Sequence, residues 1–327
     1  MRVLVAGASG LIGTALATSL RGDGHEVRRL VRRPSAQADE IEWHPDSHEL
    51  PSTALTTIDA VVCLTGAPIP IRRPSVALKS KLRASRIDAV ATLAEAIAAS
   101  DHRPPLIAAS AVGYYGDKGD AEIDESAPSG STFLSGLCRD WEAAAEPARV
   151  AGARVVSLRT GIVLARNGGL LATLRPIFWL GLGGRQGSGR QFLPWISLAD
   201  EVAAIRFLID SDVHGPVNLT GPNPARNAEL MDAVARVMHR PAIVAVPGFA
   251  LRLVLGEFAA DVLGGQRARP AKLTDAGFEF RDTELEPTLR KVLRYVLMLP
   301  ALRAANPPRR ADNSSGERAD AGFRTVS

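Results

Sequence analysis

Apolar residues recur along the chain in two alternating patterns. Short apolar runs typical of buried strands lie at residues 3–5, 60–64, 106–109 and 155–158. Longer stretches with apolar residues three or four positions apart, typical of helices with one buried face, lie at residues 75–99 and 134–150. Strands that alternate with helices in this way predict an α/β fold built on a doubly wound parallel sheet.

A glycine-rich turn joins the first strand to the first helix. It reads Gly-Ala-Ser-Gly-Leu-Ile-Gly at residues 7–13, and the helix after it carries Leu16, Ala17 and Leu20 on one face. Glycines let the backbone approach phosphates closely, and free N–H groups at a helix N-terminus attract anions. We therefore predict a dinucleotide site formed by Gly7, Ser9, Gly10, Leu11, Ile12 and Gly13, the alternative being a tight turn without a ligand.

The second predicted strand ends in two arginines, Arg32 and Arg33. In dinucleotide folds an acidic residue about 20 positions after the glycines binds the ribose 2′-hydroxyl of NAD, whereas arginine accommodates a 2′-phosphate. Because a guanidinium group matches phosphate geometry, we predict NADP(H) as the cofactor. Two solvated arginines at a strand end are the alternative.

Ligands of doubly wound sheets bind where the strands end at their carboxyl side. Leu64, Thr65 and Gly66 follow one predicted strand, and Ser110 follows the next. We expect these residues to line the same dinucleotide site.

The last third of the chain has a different character. After a strand at residues 216–219, the pattern predicts a smaller, mostly helical lobe that contains one strand at residues 242–246. The final segment is polar and without periodicity, which predicts a disordered tail. The predicted parts are a Rossmann-type domain at residues 1–220, the smaller C-terminal lobe at 221–300 and the tail at 301–327.

Several motifs, taken together in this order, resemble those of the extended, nucleotide-sugar-epimerase type of short-chain dehydrogenase/reductases. They are the glycine turn, Leu-Thr-Gly-Ala from Leu64, Ser-Ala-Val-Gly-Tyr-Tyr-Gly from Ser110, Leu-Arg-Thr-Gly from Leu158 and Gly-Ser-Gly-Arg-Gln-Phe-Leu-Pro-Trp-Ile from Gly187. More narrowly, the chain is similar to an atypical subgroup of NAD(P)-dependent epimerase/dehydratase family proteins, some described as cell-division inhibitors. That subgroup carries a C-terminal domain of unknown function, which residues 246–297 resemble.

The resemblance fails at the family's catalytic pair. The family places a tyrosine four residues before a lysine on one helix, so that the ammonium group lowers the pKa of the phenol. Leu134 and Cys138 stand at those two places. Tyr114 and Lys118 repeat the spacing, but the glycines and aspartates around them predict a loop, where this spacing does not imply a shared face.

Ser110 and Tyr115 are the remaining candidates for catalysis. A serine hydroxyl at the end of a strand can bond a substrate carbonyl or hydroxyl group, and a neighbouring phenol can donate a proton. The alternative is that both side chains are structural. Cys138 is a weaker candidate, since an unpaired cysteine is usually a small buried apolar residue.

No metal site is predicted. Cys63 and Cys138 are too far apart in sequence to suggest a metal motif or a disulfide framework. His44 and His48 have metal-like spacing, but Pro45 predicts a loop there.

Composition narrows the classes of protein further. The chain has 327 residues, 46% of them hydrophobic, and a net charge of +4, as in ordinary globular proteins. Its arginines are spread out, which argues against a nucleic-acid partner. Charged residues interrupt the apolar stretches, and the first strand begins at Arg2, so neither a membrane span nor a leader peptide is expected. We predict a cytoplasmic protein with a small-molecule substrate. The sequence leaves open whether the chain forms a homodimer.

Two functions are consistent with the sequence. The first is an NADP(H)-dependent oxidoreductase or epimerase for a small carbonyl or sugar-like substrate, with an altered proton-transfer group. The second is a dinucleotide-binding protein that has lost its chemistry and acts as a sensor or binds a partner protein. Fold analogy does not separate the two.

Overall fold

The computed structural model describes residues 1–293, so the predicted tail at 301–327 lies outside the described range. The strands are β1 (Arg2–Ala6), β2 (Glu26–Val31), β3 (Glu40–Glu42), β4 (Ala60–Cys63), β5 (Leu106–Ala111), β6 (Glu122–Ile123), β7 (Val155–Thr160), β8 (Ile162–Leu164), β9 (Phe192–Leu193), β10 (Trp195–Ser197), β11 (Gly215–Leu219), β12 (Ala225–Arg226) and β13 (Arg267–Ala268).

The helices alternate with these strands and then dominate the end of the described chain. They are α1 (Leu11–Gly22), α2 (Val76–Ala99), α3 (Phe133–Ala143), α4 (Glu146–Val150), α5 (Gly169–Trp179), α6 (Leu198–Asp210), α7 (Asn227–Met238), α8 (Gly248–Leu255), α9 (Ala259–Leu263), α10 (Ala271–Asp275) and α11 (Leu285–Leu293). No helix within residues 1–293 is both long and apolar enough to cross a membrane.

Seven strands form a central parallel sheet in the order β11-β7-β5-β4-β1-β2-β3. The chain builds outward from β1 to β3, returns to place β4 on the other side of β1, and then builds outward again to β11. The strand order therefore changes direction between β1 and β4, which is where open α/β sheets bind ligands. The predicted doubly wound parallel sheet is confirmed.

Side chains of each inner strand alternate between two helical layers. Val3 and Val5 of β1 pack with α1 and α6, whereas Leu4 and Ala6 pack with α2 and α4. All four are 0% exposed, and burial of a valine or leucine side chain contributes roughly 1.5–3 kcal/mol. Because both faces are buried, these strands appear in the sequence as continuous apolar runs.

Two further groups of helices lie beside these layers. Helices α5, α7 and α11 share an apolar cluster that includes Phe178, Leu230 and Leu289. The segment from α8 to α9 packs instead against the beginning of α2 and against α3, with the Phe258 and Phe133 rings 5.8 Å apart. This second group therefore lies at the edge of the sheet where the strands end.

Two predicted elements need correction. The segment at residues 242–246 is not a strand. Its backbone bonds only at Val244 and Val246 to the loop at residues 183–187, where Val246 and Gln186 form an isolated bridge. The helix predicted at residues 134–150 is divided into α3 and α4. Pro147 lies in the first turn of α4, where the missing proline N–H costs no helical hydrogen bond.

Candidate functional site

The glycine turn between β1 and α1 has no room for side chains at two of its three glycines. Gly7 has φ +82°, and a Cβ atom there would lie 2.7 Å from the Leu64 carbonyl group. A Cβ atom on Gly13 would lie 2.2 Å from the Gly7 oxygen. The Gly10 N–H donates to that same oxygen at 3.0 Å. Glycine is therefore required here for the turn to close against the start of α1.

The N-terminus of α1 is open to an anion. Gly10 provides no side-chain cap, and the first turn holds no acidic residue. Among the described residues, the N–H groups of Leu11, Ile12 and Gly13 have no hydrogen-bond partner. Ser9 is exposed at the tip of the turn. Unpaired N–H groups with the positive end of the helix dipole form an anion site, so the structure brings the predicted residues of this turn together.

The two arginines after β2 differ in their surroundings. Both Nη atoms of Arg33 donate to the carboxylate of Glu40 on β3, at 2.8 and 2.7 Å. This pairing holds the pKa of Glu40 below its usual range. Arg32 is exposed and has no hydrogen bond or ion pair with residues 1–293. Arg32 is therefore the guanidinium that remains free to meet a phosphate.

The turn after β4 lies against the glycine turn. The Leu64 N–H donates to the Ala6 carbonyl oxygen at 2.9 Å, and Gly7 packs on the Leu64 carbonyl group. Thr65 and Gly66 follow in the same turn, with the Thr65 hydroxyl 3.4 Å from the Cys63 sulfur. The structure thus brings this predicted group next to the glycine turn.

Ser110 belongs to a buried polar network at the carboxyl ends of β5, β7 and β11. It lies in register with Arg159, which lies in register with Asn218. The Ser110 hydroxyl donates to Glu142 of α3 at 2.7 Å, and Arg159 donates to both oxygens of that carboxylate at 2.8 and 2.9 Å. Ser110 is only 4% exposed.

Tyr115 closes this network from the 3₁₀ helix after β5. Its hydroxyl donates to Asn218 at 2.7 Å and accepts from Arg159 at 3.0 Å. The ring is 0% exposed, and this burial raises the pKa of Tyr115 to about 12. The phenol therefore stays protonated at neutral pH, with its hydrogen directed at Asn218.

The network includes three residues that sequence reasoning missed, namely Glu142, Arg159 and Asn218. The available signal was an arginine within the otherwise apolar run of β7 and an asparagine near the end of β11. Charged and polar residues are rarely buried in a strand without partners, so each one implies a partner from another element.

Leu134 and Cys138 lie on α3 beside the backbone after β5. A Cβ atom on Gly113 would be 3.8 Å from Leu134 Cβ and 3.9 Å from Cys138 Sγ. Burial raises the pKa of the Cys138 thiol to about 12, so the thiol is neutral. Lys118 follows in a loop that begins at Gly116, where φ is +64°, as expected for a spacing without a shared helical face.

A second buried carboxyl group lies at the end of β7. Glu201 of α6 is 0% exposed and accepts a hydrogen bond from the Thr160 hydroxyl at 2.9 Å. Its other oxygen has no partner in the described chain. Burial raises the pKa of Glu201 to about 8, so the group is largely protonated at neutral pH. Glu201 lies in the first turn of α6, which Ser197 caps.

The segment around α9 contacts the loop that follows β5. Gln266 donates to the Gly116 carbonyl oxygen at 2.9 Å, and the Gly265 N–H donates to Asp117 at 2.9 Å. Thr132, which caps α3, donates to Asp261 at 2.7 Å. The loop after β5 is therefore held between the sheet and this segment. Within residues 1–293, no three His, Cys, Asp or Glu side chains converge as a metal ion would need.

The chain matches two family models. Residues 3–220 match the NAD dependent epimerase/dehydratase family, and residues 246–292 match a domain of unknown function, DUF1731. The first match extends from β1 to the end of β11, and the second covers the segment from α8 to α11.

Known relatives are similar over most of their length. An epimerase family protein of Mycobacterium bovis is 48% identical over 300 residues, which are 91% of this chain and 98% of the relative. Epimerase family protein SDR39U1 of Mus musculus is 38% identical over 301 residues, 90% of this chain and all of the relative. The crystal structure of human SDR39U1 (isoform 2) with NADPH superposes with a TM-score of 0.81 at 33% identity, covering 90% of this chain and 99% of that chain.

Proposed function

Since the chain belongs to the NAD-dependent epimerase/dehydratase family, we propose that it binds NADP(H) and acts as an oxidoreductase or epimerase on a small carbonyl or sugar-like substrate. One observation carries this proposal. The turn at Gly7 and Gly13 is closed so tightly that a Cβ atom at either position would collide with the backbone, and it presents unpaired N–H groups. That cradle fits the pyrophosphate of a dinucleotide.

Arg32 supports the choice of NADP(H) over NAD(H). It stands where NAD-binding folds place a carboxylate, and it has no partner within the described residues. Arg33 contributes less, because Glu40 already satisfies its guanidinium group. The structure of the human relative was determined with NADPH, and its identity to this chain is 33%. A single free guanidinium is thus our candidate for binding the 2′-phosphate.

The family's hydride chemistry would be supplied by the nicotinamide ring of the bound cofactor. Ser110 lies at the end of β5 with its hydroxyl hydrogen directed at Glu142, so its oxygen is left as an acceptor. We propose that Ser110 accepts a hydrogen bond from a substrate hydroxyl group. Tyr115 has less support as a proton donor, because its hydrogen is bonded to Asn218 inside the network. We propose instead that Tyr115 holds Arg159 and Glu142 in place behind Ser110.

The experiment compares dinucleotide binding to the parent protein and to Arg32→Ala by calorimetry. We expect the parent to bind NADPH at least tenfold more tightly than NADH, because a charge-assisted bond to phosphate is lost with NADH. Arg32→Ala should remove most of this preference and leave NADH affinity unchanged. Arg33→Ala is the matched control and should retain it. Equal affinities of the parent for the two cofactors would refute the 2′-phosphate assignment, and absence of binding by either would refute the proposed function.

The second function is that of a sensor or partner-binding protein without catalytic activity. It is favoured by Leu134 and Cys138, which stand at the places of the family's catalytic tyrosine and lysine. Neither side chain transfers protons at neutral pH, since one is a hydrocarbon and the pKa of the other is raised to about 12. Turnover decides between the two functions. Oxidation of NADPH by the parent over a panel of small carbonyl compounds would support the enzyme, whereas tight binding without turnover would support the sensor.

A further inference from the structure

Helix α8 and the extended segment before it present apolar side chains to solvent. In residues 241–247 every second side chain is exposed. Helix α8 continues this line with two large side chains, Phe249 and Leu253, which are 72% and 73% exposed and lie four residues apart on one helical face. We call these outward residues the apolar strip: Pro241, Ile243, Ala245, Pro247, Phe249 and Leu253.

The apolar strip is not needed for the protein's own core. The opposite face of α8 packs through Leu251 and Leu255 against residues of α2 and α3. An exposed apolar patch on a folded domain often marks a surface that binds something else.

Two other segments with exposed apolar residues contact the apolar strip at its two ends. At one end the Val244 N–H donates to the Gly183 carbonyl oxygen at 3.2 Å, next to the exposed Leu182. At the other end a Cβ atom on Gly256 would lie 3.0 Å from the side chain of Arg73, two residues after the exposed Ile71. The fold therefore brings together three segments: residues 66–83, 167–190 and 239–256.

These three segments also hold the positive charge of the protein. They contain ten Lys and Arg residues and no Asp or Glu, whereas the rest of the chain has 29 Lys and Arg against 35 Asp and Glu. Glu257, which follows directly, is paired with Lys79. Arg72, Arg185 and Arg252 are exposed, and their side chains have no hydrogen bond or ion pair with residues 1–293. The partner of this surface must therefore be anionic as well as apolar.

A membrane that contains anionic lipids has both properties. Apolar side chains reach the boundary of the acyl chains, and cations meet the lipid phosphates. Trp179 at the end of α5 is partly exposed, with the Arg240 guanidinium 4.6 Å from its ring centre, and tryptophan and arginine are both suited to a membrane interface. The strongly exposed side chains of the strip protrude from the surface, which favours a deformable bilayer over a folded acidic protein.

We propose that the apolar strip and the cations beside it bind the surface of a membrane that contains anionic lipids. Phe249 and Leu253 enter the headgroup region, and Arg252 between them pairs with a lipid phosphate. The contact is peripheral, since no helix within residues 1–293 is long and apolar enough to cross a bilayer. This inference goes beyond the proposed function and does not depend on it.

The test is co-sedimentation of the full-length protein with phospholipid vesicles at one pH. We expect at least about tenfold tighter binding to vesicles of equal parts phosphatidylcholine and phosphatidylglycerol than to phosphatidylcholine alone, because several cations act together. Added salt should weaken this binding, since it screens the charges.

Variants separate the apolar contribution from the charge. The double variant Phe249→Gln, Leu253→Gln should bind anionic vesicles at least about tenfold more weakly, because two inserted apolar side chains are lost. Arg252→Gln should weaken binding about fivefold, since one cation near the anionic surface is lost. Val150→Gln is the matched control, because Val150 of α4 is 77% exposed and lies outside the three segments; it should bind as the parent does.

The proposal is wrong if the parent binds neither kind of vesicle, binds both equally, or binds no better than the double variant. If the double variant does not fold, Arg252→Gln decides by the same comparison. Analytical ultracentrifugation without lipid identifies a different occupant. Self-association that is lost in the double variant, with no vesicle binding, would assign the surface to a second copy of the chain. A monomer that binds no vesicles would leave an acidic protein. Failure of dinucleotide binding removes the proposed function alone.

Discussion

Single buried residues around the candidate site are neutral because burial penalises their charged forms. Tyr115 and Cys138 have pKa values raised to about 12, and Glu201 has one raised to about 8. The direction is the same in all three because burial removes the water that would solvate the charged form. Arg159 and Glu142 form an ion pair in which the two side chains are 2.8 Å apart. Of these three groups, Glu201 has the pKa nearest neutrality, and its second oxygen has no partner among residues 1–293.

The burial of Glu201 makes the free energy of unfolding depend on pH. Its pKa is raised from 4.5 to about 8 on folding, so the folded protein holds the proton more tightly than the unfolded chain does. The stabilisation is complete below about pH 4.5 and is lost as the pH rises through 8. Between pH 5 and pH 8 the parent should lose up to roughly 4 kcal/mol of unfolding free energy relative to Glu201→Gln.

Urea unfolding of the parent and Glu201→Gln at pH 5, 6.5 and 8 measures this difference. All other titrating groups are shared, so their contributions cancel in the comparison. If the free energy of unfolding depends on pH in the same way in both proteins, the pKa of Glu201 is not raised and the prediction is wrong.

At the scale of elements, the unit of β1, the glycine turn and α1 was predictable because all of its signals are local. Glycine spacing, the apolar run before it and the helical face after it lie within residues 2–22. The closed geometry at Gly13 explains the glycine there. A side chain of any size must displace either the turn or the helix.

Gly13→Ala should lower the unfolding free energy by about 1–3 kcal/mol, as overpacking does, and weaken NADPH binding at least tenfold. Gly22→Ala in the same helix is the control, since nothing lies within 4 Å of its Cβ position. It should change stability by less than about 1 kcal/mol, in the stabilising direction. Urea unfolding and calorimetry measure both effects. Similar losses in the two variants would show that the closed turn at Gly13 is not what makes glycine necessary there.

The elements that sequence reasoning missed depend on distant partners. Arg32 and Arg33 are adjacent and chemically identical, and only the position of Glu40 on the three-residue strand β3 separates their roles. The segment at residues 242–246 is apolar like a strand, but it lies along a loop, where Val246 donates to the Arg185 carbonyl oxygen at 2.9 Å. Neither pairing leaves a signal in the residues next to it.

At the scale of the whole molecule, the DUF1731 segment is joined to the sheet by buried polar contacts as well as by apolar packing. Gln266 is 7% exposed and donates to the Gly116 carbonyl oxygen, directly after Tyr115. The resemblance to the atypical epimerase subgroup, stated from motifs in both parts, is confirmed by the two family matches. The predicted domain boundary at residue 220, the cytoplasmic location and the homodimer stay predictions.

Gln266→Ala should destabilise the protein by about 1–3 kcal/mol, because it leaves a buried carbonyl oxygen without its donor. Arg236→Ala removes the exposed ion pair to Glu286 within the C-terminal helices and should cost less than about 1 kcal/mol. Thermal unfolding followed by circular dichroism and by tryptophan fluorescence measures both changes. Equal, small effects would mean that solvent reaches Gly116 and that this contact does not join the two parts.

The two outer strands of the sheet bear on self-association. An open sheet exposes unpaired N–H and C=O groups at its rims, and these can template addition of strands from other molecules. Here one rim is β3, which is three residues long with two glutamates, and the other is β11, which contains Pro216. The short length of β3 and the missing donor of β11 each oppose edge-to-edge pairing. Within the described residues, these two strands therefore disfavour growth of the sheet at its edges, including growth into amyloid-like aggregates.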